Sequence, residues 1–107
     1  MINECDVNEL KTKLDNKENI QFIDCREQEE WDEAHIEGAT LLPLSQFEAN
    51  YESVLGNKDA QIVIQCRSGM RSMKACMFLL SKGYTNLTNV TGGIMGWMQA
   101  GYPVINE

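Results

Sequence analysis

The chain has 107 residues, of which 43% are hydrophobic and 23% are charged, and its formal net charge is -7. This length suits a single domain, residues 1–107, whose core is large enough to fold without disulfides or metals. The ordinary composition excludes a disordered or fibrous chain. The negative charge disfavours nucleic acid and anionic membranes as partners, because a surface of that sign repels polyanions.

The first residues are acidic where a signal peptide carries lysines, and no apolar stretch is long enough to cross a membrane. We therefore expect a cytoplasmic protein, and we expect a monomer. The cysteines, Cys5, Cys25, Cys66 and Cys76, form no Cys-x-x-Cys pair, and His35 is the only histidine. This spacing predicts no metal site and no other cofactor, and it predicts free thiols in a reducing compartment.

Strand and helix patterns alternate along the first half of the chain. Residues 6–9 have the pattern of a capping box that begins a short helix. Residues 20–25 are apolar and partly β-branched, which predicts a strand, and residues 27–33 predict a short acidic helix. A second strand is predicted over residues 40–42, and Ser45 is predicted to cap the helix after it.

The second half continues the alternation. Residues 61–65 are the most apolar β-branched run in the chain and predict a strand buried on both faces. A helix is predicted to begin at residue 70 or 71 and to end at Leu80, and a strand over residues 87–90 precedes a short helix over residues 94–100. The order of elements predicts an α/β fold with a mainly parallel sheet and helices on both faces.

Ligands of such sheets bind beyond the carboxyl ends of the strands. Cys66 lies at the end of the best strand, and residues 24–26 follow another strong strand, so we expect the two segments to face each other. A loop with Gly69 before a helix directs several N–H groups into one concavity. That field, with Arg67 and Arg71 nearby, should lower the pKa of the Cys66 thiol and favour the reactive thiolate.

Other interpretations of the cysteines stay open at this point. Cys66 could be a small buried apolar side chain, as many single cysteines are. His35 could act as its base, although a loop histidine bonded to the backbone is the simpler interpretation. Cys5 and Cys76 are expected to pack in the core, whereas Cys25 could also reach the site as a resolving thiol.

Charged residues beside the loop form a candidate support. Asp24, Arg26 and Glu30 are expected to form an ion-pair cluster, in which Arg26 and Glu30 have the i, i+4 spacing of a helix. Asp24 and Arg26 would then brace the loop without contacting the reacting atoms.

Three segments resemble the rhodanese family of single-domain sulfurtransferases, and together they span nearly the whole chain. Residues 24–39 are similar to the family's Asp-x-Arg, acidic, aromatic and Gly-His-Ile-x-Gly-Ala stretch, and residues 66–72 are similar to its active-site loop. Residues 92–93, Trp97 and residues 101–103 resemble its C-terminal signature. Ala34 stands where the pattern has glycine, so local strain is expected if that position has a positive φ.

The resemblance implies a three-layer α/β/α fold with a mainly parallel five-stranded sheet in the order 1-5-4-2-3. It implies that Cys66 is the nucleophile and that Arg67 and Arg71 attract a small anionic sulfur donor such as thiosulfate. The loop amides would surround the outer sulfur of a persulfide, and they belong to Arg67, Ser68, Gly69, Met70, Arg71 and Ser72. The sulfur would pass to cyanide, a thiol or a carrier protein by double displacement.

Two other functions are weighed against this one. A dual-specificity phosphatase or arsenate reductase would need a Cys-x5-Arg loop, but only four residues separate Cys66 from Arg71, and Ser72 occupies the Cys-x5-Arg position. The shorter loop suits a sulfur atom better than a phosphoryl group. A non-catalytic docking module is the other alternative, and such modules usually lack the cysteine that is present here.

Overall fold

A computed structural model describes residues 1–106 of the chain. Its strands form one sheet in the order β1-β5-β4-β2-β3, and every neighbouring pair is parallel. The order matches the one that the resemblance implies. The strands are β1 (Ile2–Cys5), β2 (Gln21–Asp24), β3 (Thr40–Leu41), β4 (Ile62–Gln65) and β5 (Leu87–Val90).

Helices follow the strands and cover both faces of the sheet. The predicted capping box is present, since Glu9 N–H donates to Asp6 Oδ1 at 2.8 Å and Asp6 N–H donates to Glu9 Oε1 at 2.9 Å. Within the described residues, no helix is both long and apolar enough to cross a membrane. The helices are α1 (Val7–Asp15), α2 (Gln28–Glu33), α3 (Phe47–Val54), α4 (Met70–Ser81) and α5 (Gly93–Gln99).

Two local features differ from the prediction. The edge strand β1 was not predicted from its residues, because Asn3 and Glu4 are exposed and only its two ends are apolar. The prediction that Ser45 caps α3 was wrong. Ser45 lies in a 3-10 turn, where its hydroxyl donates to Glu27 Oε1 at 2.7 Å, and α3 begins after Gln46 without a side-chain cap.

The sheet separates two apolar cores. One core joins α3 and α4 to the sheet and contains Ile64 and Leu79, and the other joins α1 and α5 and contains Leu10, Val63 and Trp97. Because successive side chains of a strand alternate between faces, β4 contributes to both cores and all four of its residues are buried. The strand that precedes the cysteine loop is therefore a rigid support.

The start of α5 packs directly on the backbone of the cysteine loop. Ile94 N–H donates to the carbonyl of Cys66 at 2.9 Å, and Met95 N–H donates to the carbonyl of Arg67 at 3.1 Å. Gly93 has a φ of 54°, and a Cβ at this residue would lie 2.3 Å from the Cys66 carbonyl oxygen. Only glycine fits this approach, so Gly93 allows the start of α5 to pack on the cysteine loop.

We expect Gly93→Ala to lower the free energy of unfolding by about 3 kcal/mol or more, because the added methyl overlaps backbone atoms that cannot rotate away. Gly101→Ala is the matched control. Gly101 has a φ of 82° but no atom within 4 Å of an added Cβ, so its substitution should cost only about 1 kcal/mol. Urea unfolding of both variants measures this difference, and equal losses would contradict the close packing of α5 on the loop.

Candidate active site

Cys66 follows β4 directly, and its sulfur lies in a concave loop that we call the cradle, residues 66–72. The side chain is only 1% exposed. Gly69 N–H donates to Cys66 Sγ at 3.1 Å and Ser72 N–H donates to it at 3.4 Å, while Ser72 Oγ also lies 3.4 Å from this sulfur. The cradle thus closes around a single sulfur atom.

Backbone geometry explains how the cradle forms. Gly69 is the N-cap of α4 and has a φ of 104°, a left-handed conformation that side-chain-bearing residues rarely adopt. The turn at this glycine brings the unpaired N–H groups of the first helical turn toward the sulfur. A thiolate at this position also gains from the positive end of the α4 dipole.

Asn89 is a buried residue of β5 that sequence reasoning missed. Its Oδ1 accepts a hydrogen bond from the Ser72 hydroxyl, and its Nδ2 donates to the Gly69 carbonyl at 3.2 Å. One amide side chain thus holds both residues that donate to Cys66. The signal was present in the sequence, since an asparagine inside a short buried strand must find hydrogen-bond partners there.

Cys25 lies beside Cys66, because β2 and β4 pair in register and both cysteines belong to the same core, so the two segments meet as predicted. The pKa of Cys66 lies well below its ordinary value, because the Cys25 thiol donates to it and because Ser72 and Gly69 add further donors. Burial opposes this shift without cancelling it. The contact with Cys66 and burial raise the pKa of Cys25. These opposite shifts favour the thiolate at Cys66 and the protonated thiol at Cys25.

The two loop arginines have different environments. Arg71 forms a bidentate pair with Glu30 across the loop, with Nη1 to Oε1 at 2.7 Å and Nη2 to Oε2 at 2.8 Å. Bonding to Arg71 holds the pKa of the Glu30 carboxyl at about 2, so this carboxylate stays ionised. Arg67 is exposed and has no carboxylate partner among residues 1–106.

The predicted support cluster is present in part. Arg26 Nη2 lies 2.9 Å from Asp24 Oδ2, and both side chains are buried. Arg26 also donates to the backbone carbonyls of Glu30, at 3.4 Å, and Ala34, at 2.7 Å. The predicted ion pair between the Arg26 and Glu30 side chains was wrong, because the Glu30 carboxylate binds Arg71 instead. Asp24 and Arg26 fix the segment that carries Glu30.

A cleft of about 430 Å³ borders the cradle on the α2 and α5 side. Charged side chains and methionine side chains both line this cleft. The lining residues are Arg26, Glu30, Glu33, Ala34, Arg67, Ile94, Met95 and Met98. On the other side of the loop, Ser68 and Met70 line a second depression of about 430 Å³, and Met70 is 75% exposed. The cradle thus lies between two open surfaces.

His35 and Ala34 lie near the loop without adding a base or strain. The His35 ring stacks on Trp31 with 3.8 Å between centroids, and His35 Nδ1 lies 3.0 Å from the Trp31 carbonyl oxygen. This is the backbone-bonded histidine of the simpler interpretation. Ala34 has a φ of -169°, which is extended backbone, so the substitution of the usual glycine causes no strain.

Comparisons with known proteins agree with this geometry. The chain is 34% identical over 105 residues to a sulfurtransferase of Allochromatium vinosum, and the match covers 98% of this chain and 96% of that protein. It is 33% identical over 96 residues to the putative sulfur carrier protein YrkF of Bacillus subtilis, covering 90% of this chain but only 51% of YrkF. The solution structure of the rhodanese-like domain of the Anabaena protein Alr3790 shares the fold, with a TM-score of 0.89, 24% identity and coverage of 100% of this chain and 81% of that one.

The family model of the rhodanese-like domain matches residues 6–100, which include the cradle, the Asp24–Arg26 pair and the glycines of α5. The matched range begins just before α1, ends just after α5, and includes every residue that bonds to Cys66. The chain belongs to the rhodanese-like domain family.

Proposed function

We propose that the domain is a sulfurtransferase in which Cys66 accepts a sulfane sulfur as a persulfide and passes it to a thiol or a carrier protein. The observation that carries this proposal is the buried sulfur of Cys66, which accepts hydrogen bonds from the amides of Gly69 and Ser72 at the start of α4. The sulfurtransferase relative from Allochromatium vinosum supports the reaction class.

In the first half-reaction, the Cys66 thiolate attacks the outer sulfur of a donor such as thiosulfate. A new S–S bond forms at Sγ, the S–S bond of thiosulfate breaks, and sulfite leaves with the electron pair. Arg67 supports this step, because its guanidinium, which has no carboxylate partner among residues 1–106, lines the cleft beside the cradle and offers charge-assisted hydrogen bonds to the anionic end of the donor.

In the second half-reaction, an acceptor thiolate or cyanide attacks the outer sulfur of the persulfide. The bond between the two sulfurs breaks, and Cys66 leaves as the thiolate that began the cycle. The low pKa of Cys66 favours this return, because a more stable thiolate is a better leaving group. The exposed Met70 and Met98 beside the cradle provide adaptable apolar surface against which a carrier protein could rest.

The geometry gives less support to phosphatase or arsenate reductase chemistry. Such an enzyme needs its loop arginine free to bind the oxyanion, but both terminal nitrogens of Arg71 bind Glu30. The loop is also one residue shorter than Cys-x5-Arg, since four residues separate Cys66 from Arg71. A docking role without chemistry would not need two backbone amides that bind the Cys66 sulfur.

Sulfur loading tests the proposal. Purified protein is mixed with thiosulfate, quenched at once in acid and weighed intact by mass spectrometry. We expect the wild type and the Cys5→Ala control to gain the mass of one sulfur atom, because Cys5 lies in the opposite core. Cys66→Ala should gain nothing. A wild-type protein that stays unmodified with every sulfane donor would sink the proposal.

Arg67 should contribute to the binding of an anionic sulfur donor. We expect Arg67→Ala to raise the KM for thiosulfate about tenfold, as the loss of a charge-assisted hydrogen bond does. Lys82→Ala, at the far end of α4, removes the same charge and should leave the KM unchanged. The measurement is the initial rate of sulfite release over a range of thiosulfate concentrations. Equal KM values for Arg67→Ala and wild type would contradict the role of Arg67.

Cys66 reactivity should depend on pH in a defined direction. The thiolate fraction rises with pH through the pKa, and because that pKa is depressed, alkylation by iodoacetamide should stay fast at neutral pH and fall only in acid. Ser72→Ala removes the hydroxyl that lies 3.4 Å from the Cys66 sulfur and helps to lower the pKa of Cys66, so it should move the inflection to higher pH by about one pH unit. Ser81→Ala on the same helix is the control. An inflection near that of a free cysteine in wild type would contradict the thiolate assignment.

A further inference from the structure

Cys25 and Cys66 occupy equivalent places at the ends of neighbouring strands. Asp24 of β2 pairs in register with Gln65 of β4, and Cys25 N–H donates to the Gln65 carbonyl at 3.0 Å. The next residue of each strand is therefore a cysteine beside a cysteine. Neighbouring strands lie about 4.8 Å apart, which falls within the Cα separation of about 4.4 to 6.8 Å that a disulfide bridges.

The two side chains also point to the same side of the sheet. Both belong to the core under α3 and α4, with exposures of 0% for Cys25 and 1% for Cys66, and both are free thiols. Their sulfurs interact closely enough for each to shift the pKa of the other. Cys25 is thus a thiol that the sheet register places directly beside the nucleophile.

We infer that Cys25 is a resolving thiol, which attacks the Sγ of the Cys66 persulfide and releases the outer sulfur as hydrosulfide when no external acceptor is present. This inference rests on the proposed function, because it starts from the persulfide. The Cys25–Cys66 disulfide bond forms as the bond between Sγ and the outer sulfur breaks. The departing sulfur takes the electron pair and the proton of Cys25, so no outside oxidant is required.

Burial determines when this reaction competes with transfer. Cys25 stays protonated, and because the thiolate is the attacking species, its reaction is slow compared with that of a thiol acceptor at the open side of the cradle. Sulfur loading moves negative charge from Sγ to the outer sulfur and gives Sγ an S–S bond that an attacking thiolate can break. Resolution therefore becomes available only after loading.

The resolving reaction would give the domain a second product, sulfide, and a resting state, the Cys25–Cys66 disulfide. In the absence of an acceptor, the loaded domain releases sulfide and stores its nucleophile as a disulfide. A dithiol reductant then restores both thiols by exchange. The domain would in this way stop handling sulfur when its acceptor is exhausted.

The test follows the loaded protein after thiosulfate is removed, without any acceptor. Cys25→Ser is the informative variant, because its hydroxyl still donates to Cys66 but cannot form a disulfide. Cys76→Ser is the matched control, since Cys76 is equally buried in the same core. Intact mass and released sulfide are measured over time in all three proteins.

We expect the sulfur adduct of the wild type and of Cys76→Ser to decay into a species that lacks two hydrogen atoms, with one equivalent of sulfide released. The adduct of Cys25→Ser should persist at least about tenfold longer, because the thiol beside Cys66 is gone. Tryptic peptides of the decayed wild type should be joined through Cys25 and Cys66. This peptide result decides the question even if the Cys25 variant fails to fold.

Two results would overturn the inference in different ways. If the wild type loads sulfur but its adduct decays as in Cys25→Ser, without a joined peptide, Cys25 is not a resolving thiol and the proposed function stands. If the wild type never gains sulfur, the proposed function and this inference fail together.

Discussion

A buried, negatively charged sulfur at Cys66 requires hydrogen-bond donors, and the surrounding structure provides them. A thiolate at 1% exposure is stable only if donors replace the water that it has lost, and Gly69, Ser72 and Cys25 supply them. Asn89 fixes the donors, and the close approach of Gly93 fixes the backbone that carries the sulfur. The fold thus provides a preorganised site at the junction of β4 and α4.

The charged residues around this sulfur have two kinds of role, structural for the paired arginines and functional for Arg67. Arg26 with Asp24 and Arg71 with Glu30 are paired, so these ion pairs join β2, α2 and the cradle into one unit. Arg67 keeps an unpaired guanidinium within the described chain, and it is the arginine best placed to meet an anionic donor. On a domain with a net charge of -7, one free cation beside the nucleophile gives direction to such an encounter.

The sequence predicted the features that depend on local patterns. The apolar run of β4, the glycine before α4 and the capping box of α1 each carry their own signal, and together they placed Cys66 at the carboxyl edge of the sheet. Pairings between distant segments were not predictable in the same way, because their partners are set by the sheet order. The Arg71–Glu30 pair spans 41 positions, and it replaced a local Arg26–Glu30 pair that helical spacing had favoured. Likewise, the sequence placed Cys25 and Cys66 on facing segments, but their position side by side follows from the register of β2 and β4.

The account depends on Cys66 carrying a sulfur atom from donor to acceptor. The most direct measurement loads the protein with thiosulfate labelled at its outer sulfur, removes the free donor, and adds a thiol acceptor for a single turnover. The account predicts that about one equivalent of label remains with the protein and then moves to the acceptor. Label that never stays with the protein, or that stays equally in Cys66→Ala, would contradict it.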